Sequence, residues 1–262
     1  MNFNCIILSG GKSSRLNTDK ALVHYQGKSL LQRLVNNVLP FVQEVSIISN
    51  DEHHKIEGTT FLEENHEKIG PLGGLKVGLQ NSNTDWNLVL SVDMPLLNIN
   101  NLIQKLVPNV SDSFKAIIPK SEEQHQYVAG FYHRDISESI NIQLGKGEFS
   151  LKQLFQQNNH IKTIESSLDF SNINTIKDIE NIGCKFFKII SFGQVQEKIG
   201  ANSFFIISNS KTLDELQKEI RHYYPSLSDT TFRIAINQSF EKEDYLLKSG
   251  DELALLPPFA GG

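Results

Sequence analysis

Cysteine is almost absent: Cys5 and Cys184 are the only two, far apart and with no CxxC pairing. That argues against a disulfide-stapled scaffold, and Cys5, inside an apolar run, reads as a small buried hydrophobe. The eight histidines show no metal-ligand spacing, and His53-His54 reads as a solvated loop. No apolar stretch approaches the ~20 residues needed to span a bilayer, and Met1-Asn2-Phe3-Asn4 lacks the basic segment of a secretion signal. A soluble, cytoplasmic protein is the expectation. A formal charge of −5 and a pI near 5.9 give no global attraction to nucleic acid or an anionic membrane, so neither is expected as a partner. Low-complexity tracts, internal repeats and a long linker are also missing.

What is present suits two domains of unequal size. The 262 residues are long for one compact domain, and 39% hydrophobic against 21% charged supplies enough apolar material for a core. Cys5-Ile6-Ile7-Leu8 is a continuous apolar run, as in a strand buried on both faces of a parallel sheet. Leu30, Leu31, Leu34, Val35 and Val38 recur at helical spacing up to Pro40. Val45-Ile47-Ile48 and Leu88–Val92 read as further strands, with Leu75 and Leu79 on a helix between them. Strand, helix, strand, repeated, predicts a mostly parallel sheet covered by helices.

From about residue 185 the rhythm changes. Phe186–Ser191 and Phe204–Ser208 read as strands joined by a turn at Gly200. Thr212 with Glu215 has capping-box spacing at the head of a helix lined by Leu213, Leu216 and Ile220. Phe232–Ile236 and Leu253–Leu256 supply two more strands. This β-β-α-β-β order predicts a small α+β sheet crossed by one helix. The boundary falls at Gly183-Cys184, giving domains 1–183 and 184–262.

Leu8-Ser9-Gly10-Gly11 follows the first strand directly, where adjacent glycines permit φ > 0 and close backbone approach to a ligand. Exposed amides there favour anions, and Arg15 and Lys20 add cations that can be aimed at phosphate oxygens. The spacing is neither a P-loop, since Ile6 stands where its first glycine belongs, nor GxGxxG. Asp93, closing the strand that ends Ser91-Val92-Asp93-Met94-Pro95, sits where open α/β sheets bind ligands. Two readings stand for it: a single carboxylate on Mg²⁺, or the cap of a helix starting near Pro95. Gly70-Pro71-Leu72-Gly73-Gly74-Leu75 is a second glycine-rich entry to a helix, either bringing backbone close to a base or sugar or serving packing alone. Lys120, Arg134 and Lys146 read as solvated surface or as contacts for an acceptor phosphate.

Together, Leu8–Gly11, Arg15, Asp19-Lys20-Ala21-Leu22, Gly70–Leu75, Asp93-Met94-Pro95 and Phe170–Thr175 resemble the molybdenum cofactor guanylyltransferases over about residues 1–182. The resemblance implies a Rossmann-like nucleotidyltransferase fold that transfers GMP from GTP to molybdopterin or the molybdenum cofactor, releasing pyrophosphate. It implies a nucleotide site of Leu8, Ser9, Gly10, Gly11, Lys20, Glu64, Gly70, Pro71, Leu72, Gly73 and Asp93. Asp93, Lys20 and Arg15 would be catalytic, Asp93 would hold Mg²⁺, and Asn172 and Asn174 would lie beside the active site. Ser9, Leu16 and Glu64 depart from the alanine, methionine and aspartate common in that family.

The chain closes on Leu255-Leu256-Pro257-Pro258-Phe259-Ala260-Gly261-Gly262, an extended tail thin enough to thread into a narrow active site. Residues 185–262 resemble the small, sulfur-carrying subunit of molybdopterin synthase, which implies a ubiquitin-like β-grasp fold. By that resemblance Gly262, following Gly261, is charged as a thiocarboxylate by an adenylating and sulfurating enzyme and delivers sulfur to the large synthase subunit. Molybdenum-inserting and molybdoenzyme-targeting proteins are further partners to expect. The alternatives left open are a nucleotidyltransferase for CTP or a sugar phosphate, and a C-terminal domain that only docks or regulates.

Overall fold

The computed structural model describes residues 1–10, 15–64 and 70–258. In chain order the strands and α-helices begin with β1 (Asn4–Leu8), β2 (His24–Tyr25), β3 (Lys28–Ser29), α1 (Leu30–Val38), β4 (Val45–Ile48), β5 (Thr60–Leu62) and α2 (Pro71–Asn81). Then come β6 (Trp86–Ser91), α3 (Ile99–Leu106), β7 (Ala116–Ser121), β8 (Gln124–His125), β9 (Ala129–His133), α4 (Ile136–Gly145), α5 (Leu151–Gln156) and β10 (Ile161–Glu165). The last third holds α6 (Ile176–Asn181), β11 (Lys185–Ser191), α7 (Gly193–Ile199), β12 (Ser203–Ser208), α8 (Leu213–Tyr223), β13 (Arg233–Ile236), β14 (Ser239–Phe240) and β15 (Glu252–Leu256). No helix among the described residues is long and apolar enough to cross a membrane.

Two compact units emerge. The first comprises residues 1–12 and 31–172, the second residues 13–30 and 173–262. The segment after the first strand therefore groups with the C-terminal third.

The first unit is built on a sheet of order β10-β7-β9-β6-β1-β4-β5, with β8 paired to β7. β1 is parallel to β4 and β6, β4 to β5, and β7 to β10, while β9 runs antiparallel between β6 and β7. A mostly parallel sheet is thus what the apolar runs encode. Every residue of β1 and β4 is buried, as strands covered on both faces require. α2 lies very close to the sheet: a Cβ on Gly74 would stand 3.0 Å from Leu8 Cδ2, and one on Gly78 2.5 Å from Ile6 Cγ2. Those two glycines, four apart on one helical face, let helix and sheet backbones approach. Leu72, Leu75 and Leu79 fill the same core with Ile6, Ile48 and Val89.

The second unit carries a sheet of order β14-β13-β15-β11-β12-β2-β3. β11 and β15 run parallel at its centre, flanked by antiparallel β12 and β13, and α8 crosses it by burying Leu213, Leu216 and Ile220. This is the β-grasp arrangement. The expected turn between the first two strands is instead α7, closed at Gly200 in left-handed conformation; buried Val195 anchors this short helix in the core, a local packing preference that periodicity over seven residues could not reveal. Thr212 caps α8 by accepting from Glu215 N–H, but the Glu215 carboxylate accepts from Lys211 N–H, so the return bond of a capping box is displaced by one residue. β14 was not foreseen; Asn237 and Gln238 turn the chain into it with two successive positive φ angles.

β2 and β3 extend this sheet beyond β12. His24 and Tyr25 pair in parallel with Ile206 and Ile207, and antiparallel with Ser29 and Lys28. Gln26 and Gly27, both at positive φ, form the two-residue turn such a hairpin demands. Beneath it Leu16, Val23, Leu30, Ile173, Ile179, Cys184, Phe186 and Ile207 form a separate small core.

Candidate active site

Parallel register brings the first group of site residues together. Leu8 is level with Ile48 on one side and Ser91 on the other, and Ile48 is level with Leu62. Four strands therefore release their chains at one row along the carboxyl edge: Ser9-Gly10 from β1, Ser49 from β4, Glu64 from β5 and Asp93 from β6. The Ser9 amide donates to Ile48 C=O (3.0 Å) and the Ser49 amide to Leu62 C=O (3.1 Å), so pairing continues one residue past the strands.

Gly10 is not at positive φ, contrary to the conformational role expected of the loop's glycines; its value is space. A Cβ there would lie 3.8 Å from Glu64 Oε2, and the same oxygen would be 3.7 Å from a Cβ on Gly74. The Glu64 carboxyl thus lies close to two bare backbones, half-buried, and burial pushes its pKa above the usual carboxylate range. Gly11 lies outside the described residues. Gly70, at φ 67°, caps α2, with Pro71 in its first turn and Leu72 and Gly73 buried behind. Among the described residues no side-chain cap is seen on this helix, whose N-cap is a glycine, and its amino end is suited to an anion.

Asp93 is half-buried, and Ser91 Oγ donates to its Oδ1 at 2.6 Å. It caps no helix: the next begins at Ile99 under Asn98, whose side chain accepts from Asn101 N–H. The capping alternative is removed. Asn172, assigned to the first unit, is exposed. Among the other basic residues considered, Lys120 pairs with Glu123 (2.7 Å) and Glu165 (3.5 Å), and Arg134 lies 3.9 Å from Asp85.

One residue at this edge escaped the sequence reading. His54 is not solvated but 2% exposed, its Nδ1 within hydrogen-bond distance of Ser49 Oγ (2.7 Å) and Ser9 Oγ (3.1 Å). Asp51 accepts from His53 N–H and turns the chain back, so His54 points inward while His53 stays outside. The Asp51 turn signal is visible in sequence, but which of two adjacent histidines it buries is not.

The second unit holds the cations. Lys20 opens a short turn capped by Asp19, which accepts from Ala21 N–H, and its Nζ donates to Asn174 Oδ1 at 2.7 Å. Asn174 is fixed in turn: its amide donates to Asp178 Oδ2, as does that of Thr175, and Thr175 Oγ1 accepts from Asp178 N–H. This capping box, unnoticed in Thr175-Ile176-Lys177-Asp178, holds the Asp178 carboxyl below its ordinary range, chiefly through the Asn174 amide bond, with Arg15 adding a favourable charge. Arg15 itself is exposed. Gly261 and Gly262, with Phe259, lie outside the described residues.

The MobA-like NTP transferase domain model matches residues 5–162, more than half the chain. The chain belongs to this family. A MobA-like NTP transferase is a nucleotidyltransferase. Residues 189–262 separately match the ThiS family. Among curated proteins, the "Probable molybdenum cofactor guanylyltransferase" of Flavobacterium johnsoniae is 28% identical over 179 residues, covering 67% of this chain and 94% of its own. The molybdenum cofactor guanylyltransferase of Vibrio parahaemolyticus is 25% identical, covering 68% and 93%. Among solved structures, molybdopterin-guanine dinucleotide biosynthesis protein A from Archaeoglobus fulgidus superposes with a TM-score of 0.59 at 18% identity, over 68% of this chain and 96% of that one. The 2-C-methyl-D-erythritol 4-phosphate cytidylyltransferase of Thermus thermophilus gives 0.54 at 16%, over 68% and 95%. At these identities the structures speak for fold alone.

Proposed function

We propose that residues 1–183 transfer GMP from GTP to the terminal phosphate of molybdopterin, and that residues 184–262 carry sulfur as a thiocarboxylate on Gly262. The observation that supports the first part most is the register row, because it gathers Ser9-Gly10, Glu64 and Asp93 at the carboxyl edge of four parallel strands. The acceptor phosphate attacks the α-phosphorus of GTP, a P–O bond forms, and the bond to the β-phosphate breaks with pyrophosphate as leaving group. Two anions must meet, so the protein's main task is to position them and offset their repulsion.

Asp93 fits a hard divalent cation: it is a partly exposed oxygen donor just beyond a buried strand, oriented by Ser91. Mg²⁺ held there would supply charge to offset that building on the transferred phosphate. Lys20 and Arg15 supply fixed positive charge in the same reaction, with Lys20 oriented by Asn174. The amides after Leu8 and the amino end of α2, with Gly70, Pro71, Leu72 and Gly73, contact the nucleotide, as does Glu64. Asn172 and Asn174 lie in the vicinity of the active site.

For the second part, the ThiS match and the β-grasp sheet support a carrier whose tail leaves β15 through Pro257-Pro258. The terminal carboxylate displaces pyrophosphate from ATP to form an acyl adenylate on a partner adenylating enzyme. Sulfide-level sulfur from a donor then displaces AMP to leave the thiocarboxylate, and the large molybdopterin synthase subunit takes up that sulfur.

The deciding experiment supplies the full chain with molybdopterin, Mg²⁺ and GTP, CTP, ATP or UTP in turn and measures pyrophosphate. Release with GTP alone is expected; release with CTP alone overturns the guanylyl reading. Mass spectrometry after ATP, charging enzyme and sulfur donor should show one oxygen exchanged for sulfur. An unshifted mass, with a known carrier charging normally, removes the carrier role.

A further inference from the structure

The cation-bearing segment of the transferase is mounted on the carrier fold. Lys20 lies four residues before β2, and β2 is paired along β12, a carrier strand. Between them Val23 is buried in the small core that contains Phe186 of β11 and Ile207 of β12, and its amide closes the turn onto Lys20 C=O. Side chains reinforce the backbone pairing. His24 Nδ1 lies 2.5 Å from the Tyr224 hydroxyl, its ring stacked on Tyr224 and tilted against Phe204. Gly27 is pressed against α8, where an added Cβ would meet Tyr223 Cβ at 2.6 Å. The partner of Lys20 is anchored to the same fold, because Asn174 is held by Asp178 of α6, and Ile179 of α6 sits in the core with Phe186.

We propose that Tyr224, together with the edge of β12 that pairs with β2, positions Lys20 for the transfer reaction, so that an intact carrier fold is needed for tight nucleotide binding. This rests on the reading of Lys20 as a phosphate contact. Tyr224 touches no reacting atom in this scheme and acts through His24 and the backbone behind Lys20.

The test uses the full chain, with GTP affinity measured by titration in Mg²⁺ and hydrogen exchange followed over residues 22–29. Gly27→Val, which cannot keep both its positive φ and its contact with Tyr223, should speed exchange in the hairpin and weaken GTP binding about tenfold. Tyr224→Phe, which loses only the hydroxyl that meets His24, should weaken it about two- to fivefold. In a Lys20→Ala background both changes should add little further loss, since the group they position is already gone. A merely structural role would give additive losses, and that outcome overturns the proposal. So does unchanged affinity in a variant whose hairpin exchanges faster, or unaltered exchange in both variants. Failure of the unaltered chain to bind GTP would instead remove the reading of Lys20 on which the proposal rests.

Discussion

The two groups of site residues are held by opposite means. At the carboxyl edge of the first sheet, position follows from burial: β1, β4 and β6 are apolar runs in parallel register, and whatever follows them must emerge at one row. Around Lys20, position follows from polar clamps: the Asn174 bond, the Thr175–Asp178 box and the His24–Tyr224 contact, over a core of eight buried residues. An edge built by register tolerates changes in what it displays, whereas a clamp fails when one hydrogen-bonding atom goes.

The largest expected effect probes the register side. Asp93→Ala should lower GTP-dependent pyrophosphate release about a thousandfold while the thermal transition stays in place, because Asp93 caps no helix and lies beyond β6. Substantial remaining turnover would take the metal role from Asp93. Next, on the clamp side, Lys20→Ala should cost about a hundredfold in turnover, and Asn174→Ala should reproduce part of that loss through misdirection of the ammonium. Equal activity of Asn174→Ala and the unaltered chain would show that the clamp is not what aims Lys20.

Third, Gly78→Ala should destabilise the first sheet by about 1–2 kcal/mol, since the new methyl meets the buried Ile6 side chain and overpacking outweighs the helix-propensity gain. Gly145→Ala, at the open end of α4 where nothing lies within 4 Å, should instead leave the melting temperature unchanged or slightly raised. The smallest effect concerns Glu64. Burial raises its folded-state pKa, so the folded chain holds that proton longer than the unfolded one, and stability declines as pH rises from the unfolded value through the folded one. Glu64→Gln should therefore gain about a few tenths of a kcal/mol at neutral pH, after allowance for solvent screening, and nothing at pH below the ordinary carboxylate range. Melting curves at both ends of that range check the sign; a gain at low pH only would reverse it.

Much of the first group was legible in the sequence. Cys5–Leu8, Val45–Ile48 and the run to Ser91 are continuous hydrophobic segments, and such runs announce a parallel sheet and hence a carboxyl edge. Asp93 could be placed there because the end of its strand is readable, whereas Glu64 followed only from the family resemblance, since Thr60–Leu62 is too short to stand out as an apolar run. The second group was readable as residue types but not as an arrangement. That residues 24–29 add two strands to the C-terminal sheet depends on pairing with Ile206 and Ile207 across some 180 residues, and no local period encodes it. His54 was misread for a related reason: a polar residue in a polar turn carries no burial signal, and its partners Ser49 and Ser9 are supplied by different strands. The packing role of Gly74 was visible only as an alternative, since a glycine chosen for packing and one chosen for a ligand look alike until the neighbouring side chain is seen, and Gly78 carried no signal of its own.

The hairpin at Gln26-Gly27 has a consequence for how the protein behaves in a crowded solution. Ser203–Ser208 contains Phe204-Phe205-Ile206-Ile207, and such a strand, left at a sheet margin, would template the addition of a foreign strand. Here both margins of the second sheet are only two residues long, Lys28–Ser29 at one end and Ser239–Phe240 at the other. The sheet ends in stubs too short for a second molecule to zip onto. The segment that carries Lys20 thereby also serves as a guard against self-association.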